Sequence, residues 1–227
     1  MILSKGKCLI PLPTNRNQDR ELTLRIKDLV TIIKELEKED IQIKFVTYHG
    51  EKPYLNFDDS SLIKEFITQH DELLSTVSNI DNAQVDNFDC LIIPSYPYLY
   101  EDLKVSDYSL VKLLTQFHSK NKVIMLYEHS TYALCKCKNE DNSWPFVGYN
   151  LTGASVTSIM ASDLFDTVPV CEEEIMLMGG NFVGKEGNYI AGSLNNELVV
   201  CDKNIITGYD VNSLKMCLAN LIQKIKI

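Results

Sequence analysis

The strongest hydrophobic pattern in the chain lies between Gln18 and Glu39. Its apolar residues recur three and four positions apart, as they do along one face of an amphipathic helix, and charged residues fill most other positions. The apolar residues are Leu22, Ile26, Leu29, Val30, Ile33 and Leu36. Lys7–Leu12 before this segment and Ile41–Val46 after it are typical of β-strands. Together the three segments predict a strand–helix–strand unit, from which parallel sheets are built.

The alternation of strand and helix returns in the second half of the chain. Phe88–Pro94 and Val123–Tyr127 are short apolar runs typical of buried strands, and Tyr108–His118 between them has a helical pattern. Nearly continuous apolar runs are typical of parallel strands that are covered on both faces. The pattern therefore predicts an α/β fold with a mostly parallel sheet between layers of helices.

The remaining segments add shorter elements to this sheet. Leu62–Ile67 and Leu73–Val77 are predicted to form short helices within a polar stretch. Leu198–Cys201 and Ile205–Thr207 flank a polar turn and are predicted to pair as a hairpin. Asp210 is a residue type favoured at helix N-caps, and we expect it to begin a final helix that runs to the end of the chain. No linker-like segment interrupts the pattern, so one domain is expected over residues 1–227.

The charge balance of the chain disfavours some classes of partner. The 227 residues carry a formal net charge of −9 at pH 7, which repels phosphate backbones and anionic lipid surfaces. The apolar run near the N-terminus is broken by Pro11 and Pro13 and is too short for a signal-peptide core or a membrane span. We therefore expect a cytoplasmic protein that neither binds nucleic acid directly nor inserts into a membrane.

The seven cysteines indicate neither a disulfide framework nor a metal site. Their number is odd and several, such as Cys90 and Cys201, lie in apolar runs, so buried and reduced thiols are expected. Cys135 and Cys137 would point to different faces of a helix and could not bind one ion. The four histidines have no ligand-like spacing, and Gly179–Gly184 lacks the spacing of a phosphate-binding loop. We expect no metal and no cofactor.

Three segments resemble the PfpI family within the class I glutamine-amidotransferase-like superfamily. Lys122–Leu134 is similar to the strand, turn and helix that carry the family's nucleophile, a motif called the nucleophile elbow. Asp89–Pro97 resembles the strand and oxyanion loop that precede the elbow, and Val199–Gly208 resembles the hairpin before the last helix. Similarity to a divergent branch of the family lies in residues 117–122, 139–144 and 149–153. The resemblance runs from about Val85 to the C-terminus and implies a three-layer α-β-α sandwich with a mostly parallel, flavodoxin-like sheet.

The resemblance also implies that the catalytic nucleophile is missing. Where the family has a cysteine at the elbow this sequence has Glu128, and a hydrated carboxylate is a poor nucleophile toward amides. His129 matches the histidine that follows the nucleophile but has no thiol to activate, and Ser130 replaces a glycine. Glu21 is the nearest candidate for the acidic residue at the start of the family's first helix. Cys135 is a less favoured alternative nucleophile, because it would lie about two turns into the helix.

The oxyanion loop also differs from that of an enzyme. Residues 95–100 contain no glycine, although backbone amides must approach a substrate closely to stabilise negative charge. Ser95, Tyr96 and Pro97 are therefore assigned, with the elbow residues, to a vestigial pocket that tyrosine rings fill. Tyr98 and Tyr100 are candidates for a protein interface, because aromatic side chains are enriched at interfaces and successive positions cannot all point inward.

The sequence supports three hypotheses about function. The first is a non-catalytic subunit or scaffold, and the resemblance implies protein partners in a multi-subunit, early-endosomal Rab-effector complex linked to mRNA transport, with a homo-oligomeric state. The second is a residual hydrolase or glyoxalase-like enzyme in which Glu128 and His129 act on a small carbonyl substrate. The third is a sensor that binds a small ligand in the old pocket. An open cavity at the elbow favours the second or third hypothesis, and a cavity filled by Tyr96 or Tyr98 favours the first.

Overall fold

A computed structural model of the chain describes residues 5–13, 24–53, 61–97, 99–100, 103, 109–160, 168–185 and 197–226. The strands of its main sheet are β1 Gly6–Pro11, β2 Ile41–Thr47, β3 Ser78–Asn79, β4 Cys90–Ile93, β5 Val123–Tyr127, β8 Val199–Asp202 and β9 Ile205–Gly208. A small separate pair contains β6 Asn150–Leu151 and β7 Asn181–Phe182. The main sheet has the order β3-β2-β1-β4-β5-β9-β8. All neighbouring strands in it are parallel except β8 and β9, which form an antiparallel hairpin.

Helices cover both faces of this sheet. The α-helices in the described part of the chain are α1 Ile26–Lys38, α2 Ser61–Gln69, α3 Asp71–Ser75, α4 Ser109–Ser119, α5 Val156–Met160, α6 Cys171–Leu177 and α7 Leu214–Ile225. The crossovers through α1 and α4 run in opposite directions along the sheet, so right-handed connections place these helices on opposite faces. Helix α7 contacts α1 and shares its face. The order β2-β1-β4-β5-β9 is that of a flavodoxin-like sheet, and the predicted three-layer α-β-α sandwich is confirmed.

The local sequence explains most of these elements. Helix α1 buries Ile26, Leu29, Ile33 and Leu36 from the predicted stripe, and β4 and β5 are almost wholly buried between the two helical layers. The predicted strands and α4 agree with the structure to within about two residues at their ends, as is usual for such boundaries. The two-residue strands β3, β6 and β7 have no hydrophobic pattern of their own, and their pairing depends on the fold around them.

Three details differ from the sequence-based expectation. The first helix begins only at Ile26, because the backbone of Arg25 is extended and Leu24 is not helical. The earlier part of the predicted helix lies outside the described residues. The elbow continues into a 3-10 helix, Glu128–Lys136, rather than an α-helix. Asp210 caps the 3-10 turn Val211–Ser213 by accepting from the Ser213 amide, and α7 begins only after that turn.

The cysteines are buried with one exception. Six of the seven thiols are buried, as expected, but Cys201 is exposed. It lies on β8, the edge strand of the hairpin, where an apolar run does not ensure coverage on both faces. No helix within the described residues is long and apolar enough to cross a membrane.

Candidate functional site

A sharp turn at the end of β5 forms the predicted elbow. Glu128 follows the strand with φ of 54°, a left-handed conformation that non-glycine residues rarely adopt. The Ser130 hydroxyl closes the turn, because it accepts from the Tyr127 amide at 2.9 Å and donates to the Tyr127 carbonyl at 2.8 Å. The Ala154 amide donates to the Glu128 carbonyl at 3.2 Å. Ser130, where the resemblance implies a glycine, therefore has a structural role in the turn.

The carboxylate of Glu128 is held by two other side chains. Arg25, which immediately precedes α1, forms an ion pair with Glu128 through its terminal guanidinium nitrogens. Ser95, which follows β4, donates its hydroxyl to Glu128 Oε2 at 3.1 Å. Ser95 Oγ also accepts from the His129 amide at 3.2 Å. The residue predicted to replace the nucleophile is thus a carboxylate bound by two neighbouring side chains.

Arg25 links this carboxylate to a second, more deeply buried one. Arg25 Nε donates to Asp28 Oδ2 at 3.1 Å, and the Tyr127 hydroxyl donates to the same oxygen at 3.0 Å. The Asp28 side chain is 6% exposed, whereas that of Glu128 is 17% exposed and that of Arg25 is 41% exposed. One guanidinium therefore bridges two carboxylates between the start of α1 and the elbow. We call Arg25, Asp28 and Glu128 together the elbow network, and the Arg25–Glu128 contact within it the elbow ion pair.

The electrostatics of the network follow from this burial. Burial raises the pKa of Asp28, and the nearby Arg25 and the hydrogen bond from Tyr127 oppose that rise. Burial lowers the pKa of Arg25, but its contacts with Glu128 and Asp28 outweigh that effect, and the guanidinium stays charged. The pKa of Tyr127 is well above its ordinary value because the ring is buried and faces Asp28. Tyr127 is therefore a neutral hydrogen-bond donor to a carboxylate.

His129 lies beside Glu128 in a largely buried position. Desolvation lowers the pKa of its imidazole, Glu128 raises it and Arg25 lowers it further. The ring is therefore mostly neutral near pH 7, and a neutral imidazole can act as a base. Cys135, the alternative nucleophile, is buried, and desolvation raises the pKa of its thiol far above the ordinary value. A buried neutral thiol is a poor nucleophile.

The loop after β4 brings only some of the predicted residues to the elbow. Ser95 is buried and contacts Glu128, whereas Tyr96 is buried and lines a cavity of about 10 Å³ with Pro11 and Ile93 at the carboxyl ends of β1 and β4. Pro97 is half-buried. Tyr100 is half-buried and packs against the core. Tyr98 lies outside the described residues, so its predicted interface role stays a prediction.

The sequence reasoning missed Arg25 and Asp28. Glu21, the acidic candidate, lies outside the described residues. Two signals were present: Asp28 interrupts the buried side of a helix, and Arg25 lies three positions before it. A carboxylate on a buried helical face requires a cation or several hydrogen bonds. In the described part of the chain, no group of three or more His, Cys, Asp or Glu residues could hold a metal ion.

Comparisons with known proteins show the family to which the chain belongs. No family profile matches the chain. Glutamine amidotransferase-like class 1 domain-containing protein 1 from Homo sapiens is 34% identical over 147 residues, which cover 64% of this chain. The match spans 62% of the length of that human protein. The protein of the same name from Danio rerio is 30% identical over 171 residues, which cover 74% of this chain and 75% of the relative.

The fold is also found in solved structures of low sequence identity. Glyoxalase III from Candida albicans superposes with a TM-score of 0.77 at 14% identity, over 96% of this chain and 97% of that chain. Such identity establishes a shared fold and not a shared activity. The sequence match to the Danio rerio relative extends over three quarters of its length. The chain therefore belongs to the family of glutamine amidotransferase-like class 1 domain-containing protein 1, within the PfpI and class I glutamine-amidotransferase-like fold.

Proposed function

We propose that this chain is a non-catalytic member of its family that serves as a subunit or scaffold in a protein complex. The observation that carries the proposal is the elbow ion pair, in which Arg25 binds the carboxylate of Glu128, the residue that the family resemblance aligns with the nucleophile. The sharp turn after β5 is present, but the carboxylate of Glu128 at this turn is committed to a contact within the chain.

The contacts of Glu128 argue against its use as a nucleophile or base. Both oxygens of the Glu128 carboxylate accept hydrogen bonds from the Arg25 guanidinium. The Ser95 hydroxyl, which donates to the same carboxylate, is also committed. A substrate would have to displace both partners from Glu128, and leave Arg25 with Asp28 alone. The free energy needed for that exchange opposes catalysis.

The proposal extends to the assembly in which the chain acts. The related branch suggests a multi-subunit, early-endosomal Rab-effector complex linked to mRNA transport, with protein partners and self-association. The formal charge of −9 supports contact with mRNA through other subunits rather than directly. The assembly, the partners and the endosomal location are proposals carried by that resemblance.

Turnover assays test the non-catalytic proposal. Purified protein is incubated with methylglyoxal and, separately, with a chromogenic peptide amide, and product is followed against a buffer blank. We expect no turnover above the blank for the wild type, His129→Ala or the control His49→Ala, which changes an exposed histidine. Saturable turnover that His129→Ala abolishes and His49→Ala preserves would overturn the proposal.

A residual hydrolase or glyoxalase-like activity is the second candidate. Two observations favour it: the fold matches that of glyoxalase III with a TM-score of 0.77, and the neutral His129 lies next to Glu128. In this mechanism Glu128 and His129 act as acid–base groups on a small carbonyl substrate. Loss of methylglyoxal turnover in both Glu128→Gln and His129→Ala would support it, because both groups are required.

Self-association is tested separately from catalysis. Light scattering at micromolar concentration is expected to give a mass above that of one chain, and Tyr98→Ala with Tyr100→Ala is expected to reduce it. Aromatic residues at interfaces often contribute much of the binding free energy. A monomeric wild type would refute the proposed homo-oligomer, whatever the outcome of the turnover assays.

A further inference from the structure

A groove lined in part by lysines lies beside α4. It has a volume of about 410 Å³ and is lined by Val111, Lys112, Thr115, Gln116, Lys136 and Lys138. The first four residues belong to α4, and the last two lie at the end of the 3-10 helix Glu128–Lys136 and just beyond it. All three charged residues of the lining are lysines, although the whole chain has a net charge of −9. The groove is therefore a local exception to the acidic surface.

Two of these lysines have no carboxylate partner among the residues that the structure describes. Lys112 and Lys138 are exposed and form no ion pair within the described part of the chain. Lys136 is half-buried, with Nζ 4.5 Å from the centre of the Tyr132 ring. The carboxylate of Glu174 attracts the Lys136 ammonium group electrostatically. The Lys112 and Lys138 ammonium groups are thus available to an acidic ligand.

The acidic turn that follows Lys138 in sequence is hydrogen-bonded within itself. Asp141, three residues after Lys138, accepts from the Ser143 amide at 2.9 Å and from the Ser143 hydroxyl at 2.5 Å. Glu140 beside it is exposed. A carboxylate satisfied within its own turn competes less for the lysines of the groove.

The lining of the groove also offers apolar contact. Val111 is its apolar residue and is 7% exposed. The Thr115 hydroxyl donates to the Val111 carbonyl at 2.9 Å, so its hydrogen-bonding capacity is directed into the helix. Lysine side chains add the apolar surface of their methylene groups. An apolar side chain can therefore pack in the groove while flanking carboxylates reach the lysines.

We propose that this groove binds a short acidic segment of a partner protein, with an apolar residue between its carboxylates. Charge complementarity favours the acidic segment, because cationic surfaces attract and orient anionic partners. A nucleic acid fits less well, because the lining has three lysines without arginine or an aromatic ring, and an extended polyphosphate is repelled by the acidic chain as a whole. The inference rests on the proposed function as a complex subunit and names the chemistry of one partner.

A defined peptide tests the groove. The probe is a fluorescein-labelled pentapeptide with a central leucine and two glutamates on each side, and its binding to the full chain is followed by fluorescence anisotropy. We expect saturable binding that Lys112→Glu with Lys138→Glu weakens at least about tenfold. The control Lys38→Glu with Lys215→Glu makes the same change in net charge at exposed positions outside the groove and is expected to leave affinity within about twofold. Circular dichroism confirms that each variant is folded.

Three other results would each contradict the proposal. Absence of binding at peptide concentrations up to about 1 mM would overturn it, and so would equal binding by the groove and control variants. Tighter binding of single-stranded oligodeoxycytidylate, lost in the groove variant, would assign the site to nucleic acid instead. These failures leave the turnover result unchanged, because neither of the substituted lysines, Lys112 and Lys138, belongs to the network of Arg25, Asp28 and Glu128.

Discussion

At the scale of single residues, Glu128 combines an unfavourable backbone with favourable side-chain contacts. Its φ of 54° places a Cβ in the left-handed region, which costs on the order of 1 kcal/mol for a residue with a side chain. Arg25 and Ser95 bind its carboxylate. The same residue is therefore strained through its main chain and stabilised through its side chain.

Two substitutions separate these effects. Glu128→Ala removes the carboxylate but keeps the Cβ, and we expect a loss of about 1 kcal/mol, since the pair is partly exposed and screened. Glu128→Gly removes the carboxylate and also relieves the backbone, so it is expected to be about 1 kcal/mol more stable than Glu128→Ala. Urea unfolding of the three proteins measures both differences. An alanine variant as stable as the wild type would show that the elbow ion pair contributes nothing to stability.

At the scale of elements, the fold depends on close contact between the end of β9 and the helix that follows it. A Cβ at Gly208 would lie 2.7 Å from Cys217 Sγ, 3.0 Å from Tyr127 Cβ and 3.0 Å from Ser213 Cβ. These atoms belong to α7, to β5 and to the turn that Asp210 caps. Because Gly208 has no Cβ, α7, β5 and the turn Val211–Ser213 can pack closely against the end of β9.

Gly208→Ala is therefore expected to destabilise the protein by about 1–3 kcal/mol, as overpacking commonly does. Gly6→Ala is the matched control on β1, because a Cβ there meets its nearest atom at an ordinary 3.4 Å. Thermal unfolding compares the two variants. Cys217→Ala in the Gly208→Ala background is expected to recover part of the loss, since it removes the closest atom. Equal melting temperatures for Gly208→Ala and Gly6→Ala would contradict this account of the packing.

The sequence predicted most of the sheet but only half of the elbow network. Strands such as β4 and β5 were predictable because continuous apolar runs are a local signal. The position of Glu128 at the elbow followed from the family resemblance. Arg25 was not predictable as its partner, because the two residues are 103 positions apart in sequence and their contact depends on the completed fold. The start of α1 at Ile26 was not predictable either, because the hydrophobic pattern continues before the extended backbone of Arg25.

At the scale of the whole molecule, two partly buried histidines couple stability to pH. Burial lowers the pKa of His118, whose ring packs 4.7 Å from that of Phe146, and Lys203 lowers it further while Asn204 opposes the shift. Burial likewise lowers the pKa of His129. Both side chains prefer the neutral form in the folded state, whereas in the unfolded chain they take up protons with the ordinary pKa near 6.5. Between the lowered pKa and that ordinary value, the unfolded state binds more protons than the folded state.

Stability is therefore expected to rise with pH through this window and to fall on acidification below about pH 6.5. Asp28 has the opposite effect on stability at more acidic pH. Because its pKa is raised, the folded protein takes up a proton at this residue before the unfolded chain does as the pH falls.

The measurement is the free energy of unfolding in urea from pH 7.5 to 5.5 for the wild type, His118→Gln with His129→Gln, and the exposed-site control His49→Gln. The double variant should have a shallower dependence on pH than the wild type, and the control should keep the wild-type slope. Since slopes rather than absolute stabilities are compared, a general destabilisation by the double variant does not affect the result. An unchanged slope in the double variant would show that neither histidine accounts for the pH dependence.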